Sequence, residues 1–131
     1  ISMGYNMTVI NNGVIGGGGG GGGYSSDLFE SVGGGGGAGN KVGLAGSDPV
    51  GKDVLYSIDP SNGSTDAGGN GGEITYSRGG EPYDLSGGNG GNLGQAGQNA
   101  DSNGGAAGSA IVKNGYTLTQ TVAGNIYGAI I

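Results

Sequence analysis

Eight consecutive glycines occupy residues 16–23, and no core of side chains can be built there. Five more fill 33–37, and the pattern returns, interrupted, as GGNGG at 68–72, GGNGGNLGQAG at 87–97 and GGAAG at 104–108. Segments of this kind have two physical states open to them. Gly-rich chain is flexible coil when isolated, and glycine loses more freedom on folding than any other residue. Alternatively, the backbones pack directly on one another, an approach only glycine permits. Recurrence of the runs through one short chain favours packing.

The form expected of packed polyglycine is the left-handed helix with three residues per turn, rising about 3.1 Å per residue and making no internal hydrogen bonds. Gly88, Gly91, Gly94 and Gly97 are spaced by three, as one contact face of such a helix requires, and Gly69 with Gly72, Gly43 with Gly46 and Gly105 with Gly108 repeat the interval. The expected fold is therefore a bundle of about six polyglycine II helices, over 16–23, 33–39, 43–51, 63–72, 87–97 and 104–109. Fixing each backbone costs about 1–2 kcal/mol, and each hydrogen bond returns a net ~0.5–1.5 kcal/mol. Such a bundle needs near-complete pairing and leans on its ends.

The aliphatic residues gather at those ends. Met7–Ile10 is β-prone, and Asn11-Asn12-Gly13 after it reads as a turn. Residues 110–113 and 116–122 alternate around Asn114-Gly115, a pair suited to the positive φ angles of a type I′ hairpin. Residues 126–127 and 129–131 offer one more strand. The two termini, 1–15 and 109–131, are expected to form one small β cap on a single domain whose glycine-rich body is 16–108. No α-helix is expected, because glycine interrupts nearly every window and the apolar spacing never settles to 3.6. With both termini in the cap, 24–32, 52–62 and 98–103 are expected at the far tip. The turn at 40–42 and the segment 73–86 are expected back at the cap end.

Charge and motifs narrow the function. Ten carboxylates face only Lys41, Lys52, Arg78 and Lys113, for a net charge of -6. Nucleic acid and anionic membranes both require clustered cations, so neither is an expected partner. No apolar run reaches the ~18 residues of a membrane span, so no membrane insertion is expected. His and Cys are absent. Residues 46–53 match GxxxxGK of a phosphate-binding loop, but Asp53 stands where Ser or Thr would ligate Mg²⁺, and no strand–helix context surrounds it. The GGNGG segments share spacing with a calcium repeat, yet Glu73 and Asn92 replace its ligand Asp. No catalytic set assembles without His, and pairs such as Asp27 and Glu30 read as solvated loop faces. The expectation is no enzyme, no cofactor and no metal.

Between the glycine runs lie segments of another character, at 24–32, 47–62, 73–86 and 98–103. Their Tyr, Ser, Asn and Asp content is that of binding loops on a rigid frame. The candidate contact residues are Tyr24, Asp27, Phe29, Lys52, Tyr56, Asp59, Tyr76, Arg78 and Tyr83.

Glycine-rich motifs alternating with Tyr/Ser/Asp-rich loops, and closing on Asn114-Gly115-Tyr116 and 124–128 (GNIYG), resemble the receptor-binding part of the T-even-type phage long-tail-fibre tip adhesins. The resemblance covers about residues 14–131. It implies a polyglycine II sandwich at the tip of the virion's tail fibre. Its loops would grip a bacterial outer-membrane protein or lipopolysaccharide, and its body would be carried by the fibre-shaft protein. The family's fibre-attachment domain is not evident in the sequence, in keeping with a chain that starts at Ile1. A monomer is expected. Two other classes fit a glycine-rich bundle. An ice-binding protein would want a flat face from a strict repeat, which the long irregular loops break. A purely structural fibre segment would not need aromatic loops.

Overall fold

The computed structural model describes residues 1–122 and 124–131; residue 123, inside the expected cap, lies outside the described residues. Among the described residues there is no helix of any kind, and the regular structure is a set of short strands in four small sheets. The expected bundle of polyglycine II helices is thereby overturned. Regular structure follows the side chains: it forms where β-branched, aromatic and Ser/Thr residues cluster.

At one end the two termini pair. β1 (Met7–Ile10) runs parallel to β8 (Leu118–Val122), with Met7 opposite Leu118. β2 (Val14–Gly16) runs parallel to β9 (Asn125–Tyr127), with Ile15 opposite Ile126. Isolated bridges join Ser2 to Val112 and Ile111 to Ile130. Met3, Ala110 and Ile111 are buried at the centre, with Met7, Ile15, Leu118 and Ile126 packed on them.

The expected hairpin across Asn114-Gly115 is corrected. Both residues do take positive φ, 52° and 83°, and the Tyr116 N–H donates to the Lys113 carbonyl across the turn. The strand that follows, however, pairs with β1 rather than with 110–113. Parallel pairing to the other terminus lets Leu118 join the Met3–Ile111 core, where a hairpin partner two residues away could not bring the chain ends together.

The glycine segments run between the two ends as extended chain outside any strand, and they hydrogen-bond to one another through their backbones. Gly17, Gly20 and Gly23 donate to Tyr127, Gln95 and Gln98; Gly19 and Gly22 donate to Ala38 and Gly35; Gly18 and Gly21 accept from Gly108 and Gly105. Successive residues thus address different neighbours, and bonds to any one neighbour recur every third residue. Added Cβ atoms at Gly17, Gly19, Gly20 and Gly22 would fall on backbone carbonyls of Gly108, Gly91, Gly105 and Gly88. Side chains close further bonds: Asn62, Asn89, Asn92 and Asn99 accept from the N–H groups of Ala45, Gly71, Gly68 and Gly104.

These bonds fix the course of the chain. Segments 16–23, 43–50, 67–72 and 95–98 lead away from the paired termini, and 33–39, 61–64, 87–92 and 104–108 lead back. The expected single passes over 63–72 and 87–97 are each two, because Ser64 turns onto Ala67 and Asn92 onto Gln95. One consequence places 73–86 at the far tip rather than at the cap end, where it was expected.

Candidate functional site

The tip is built on two sheets. β3 (Ser25–Asp27) and β4 (Glu30–Val32) form a hairpin whose turn is Leu28-Phe29. β5 (Val54–Ile58), β6 (Glu73–Arg78) and β7 (Glu81–Ser86) form a three-stranded antiparallel sheet in that order. β6 to β7 turns through Gly79-Gly80, at φ 63° and 89°, the paired positive angles a two-residue hairpin loop requires. Central β6 turns Ile74 and Tyr76 inward, where they are buried together with Val32 of β4. Edge strand β5 is exposed along its whole length although four of its five residues are apolar.

The two sheets are locked through one carboxylate. Asp27 accepts from the Tyr76 hydroxyl at 2.8 Å and from the Arg78 guanidinium at 2.6 Å. Glu30, only 7% exposed, lies 3.8 Å from the same guanidinium and accepts from the Phe29 N–H. The Tyr76 hydroxyl, together with Arg78, holds the Asp27 carboxyl below its ordinary value. Burial and the bond to Asp27 push the Tyr76 hydroxyl up, and the bond to Asp27 raises Arg78. Arg78 also sits over the Tyr76 and Tyr83 rings, at 5.5 and 5.4 Å, and those rings stack at 5.9 Å. Further ties come from Ser25, whose hydroxyl donates to the Ser86 carbonyl, and Ser26, whose N–H donates to Asp101.

Above this lock opens a recess of about 370 Å³, lined by Leu28, Phe29, Glu30, Lys52, Asp53, Tyr76, Ser77, Arg78 and Gly79. Of the nine residues expected at the site, the structure gathers Asp27, Phe29, Lys52, Tyr76, Arg78 and Tyr83 in or against it. Tyr76 is 2% exposed and serves as the floor of the tip, with no surface to offer a partner. Tyr24 lies apart on a groove with Leu44 and Ser102, Tyr56 stands exposed on β5, and Asp59 follows β5 at the surface. Sequence reasoning missed Leu28, Glu30 and Asp53. The signal for Leu28 was present: a two-residue turn between Asp27 and Glu30 made of bulky apolar residues, where turn chemistry calls for Asn or Gly.

The family profile described as phage tail fibre adhesin Gp38 matches residues 1–131. The chain belongs to that family. The adhesin is thus a component of the phage tail fibre, part of the virion and outside the cell. It is similar to a solved structure, the gp37–gp38 adhesin tip complex of the bacteriophage S16 long tail fiber, at 32% identity and a TM-score of 0.60. The likeness covers 92% of the adhesin and 42% of that chain, so the adhesin spans less than half the length of the protein it matches. No curated protein matches it.

Proposed function

We propose that the adhesin attaches the phage to its host by gripping an outer-membrane receptor, noncovalently and without catalysis, through the tip formed by 24–32, 50–58 and 73–86. The observation that carries this reading is where the exposed bulky apolar side chains fall. One set, including Leu28, Phe29, Val50, Leu55 and Tyr56, crowns the tip. A second, including Ile1, Tyr5, Ile10 and Ile131, marks the opposite end, where the termini meet. The flanks between are largely glycine and Asn, with Val42 and Leu44 exposed at the start of the 43–50 segment. Exposed apolar patches mark interaction sites, and two of them at opposite ends suit a fibre-borne binder. The tip takes the host and the other end faces the fibre shaft, in keeping with the similar structure's being a complex with gp37.

The test is adsorption of the purified adhesin to a panel of Gram-negative strains, with and without their outer-membrane proteins and lipopolysaccharide. Saturable adsorption lost with one component supports the reading and names the receptor class. Absence of adsorption to every strain overturns it.

A further inference from the structure

We infer that Leu28-Phe29 is a strained anchor: a turn held in an unfavourable conformation so that two apolar side chains project into an apolar recess of a host surface protein. The inference rests on the adhesin reading above and adds the residues that carry it. Leu28 has φ 28°, in the left-handed region where a Cβ crowds the following carbonyl. Leu28 is 78% exposed and Phe29 80% exposed. The Leu28 backbone bonds the Asp27 carboxylate, a bond glycine would keep, but its exposed side chain adds nothing to the fold, and glycine would satisfy the turn better.

Strain persists only where the surroundings over-determine it. Here Asp27, on one side of the turn, is bound by Tyr76 and Arg78; Glu30, on the other, is buried and bonds the Phe29 N–H. The hairpin is thus clamped from below, and through the backbone of its turn, while the side chains of its crown are left exposed. What the crown offers is apolar area, whose only gain is removal from water. Leu28 has no donor or acceptor for a sugar hydroxyl. The cations beside it, Lys52 and Arg78, are outnumbered by Asp27, Glu30 and Asp53, so the recess does not favour a phosphorylated glycan. A protein surface is the occupant these features fit.

The experiment compares the intact adhesin with Leu28→Gly, Phe29→Ser and, at the opposite end, Tyr5→Ser. Thermal midpoint and adsorption are measured on whole cells, on protease-shaved cells, and with purified lipopolysaccharide as competitor. Leu28→Gly is expected to raise the midpoint by about 3 °C and weaken adsorption at least about tenfold, a gain and a loss that a structural residue would not combine. Phe29→Ser is expected to weaken adsorption with the midpoint unchanged, and Tyr5→Ser to change neither. A lowered midpoint for Leu28→Gly, or wild-type adsorption by that variant, overturns the anchor while leaving the adhesin reading intact. Adsorption that survives shaving and is competed by lipopolysaccharide overturns the protein ligand. A wild-type adhesin that adsorbs to no cell fails at the reading itself, and the anchor falls with it.

Discussion

Gly20 and Gly21 stand side by side in an unbroken glycine run, yet their tolerances are opposite. A Cβ at Gly20 would fall on the carbonyl of Gly105, and the backbone there has a neighbour bonded on each side. At Gly21 the nearest atom to an added Cβ is the Gly35 oxygen at 3.8 Å, an ordinary contact. Gly20→Ala is expected to destabilise by at least the ~1–3 kcal/mol typical of overpacking, because backbone cannot swing aside as a side chain can. Gly21→Ala is expected to be neutral or to stabilise by up to ~1 kcal/mol through the unfolded chain. Urea unfolding of the two variants checks this, and equal losses would contradict the close packing. The sequence announces that these backbones touch. It cannot say which of eight identical residues face outward, because that depends on where Ala38, Gly91 and Gly105 arrive from elsewhere in the chain.

Among the elements, the β3–β4 hairpin depends on ionisation. The Asp27 carboxyl is held below its ordinary value, so its stabilising contribution is complete at neutral pH and is lost as pH falls through that lowered value, below about 4. Tyr76 is raised above 10, so its contribution is present below 10 and is lost as pH climbs through the raised value. Amide protection at 25–32, the exchange rate taken relative to unstructured chain at the same pH, is expected to be high between these limits and to fall at both. Asp27→Asn should remove the acid limb, and an unchanged acid limb would remove Asp27 from the account. The same lock limits what can be exchanged between adhesins. From sequence alone, 24–32 and 47–62 read as exchangeable loops, but 24–32 and 73–86 supply Val32, Ile74 and Tyr76, the buried floor of the tip. Replacing either whole segment is expected to lower the thermal midpoint by several degrees, whereas replacing only the 79–80 turn with Asn-Gly should leave it within a degree or two. The strands were hidden for a physical reason. Glu73–Arg78 alternates modestly, and its pairing with β5 and β7 is settled by long-range contacts that local propensity does not report. The Asn114-Gly115 turn, whose conformation is local, was legible; the partner of the strand after it was not.

At the scale of the whole molecule, the net charge of -6 sets how the adhesin meets a cell. Two of its four side-chain cations, Lys52 and Arg78, line the tip recess, but Arg78 is engaged by Asp27 and Lys52 neighbours Asp53. The tip therefore has no uncompensated positive field to steer it toward an anionic bacterial surface. Like charges slow encounter, and salt screens them over about 10 Å at 0.1 M. If apolar anchors at the tip carry adhesion, the adsorption rate constant should rise about two- to tenfold between 10 and 150 mM NaCl, as screening removes repulsion. The dissociation rate should change little, since burial of Leu28 and Phe29 is not screened. Electrostatic capture through Lys52 and Arg78 requires the reverse, a rate that falls steeply with salt. Surface-immobilised outer-membrane preparations, probed with the adhesin across that range, separate the two. A falling rate constant would move the centre of recognition from the apolar turn to the cations beneath it.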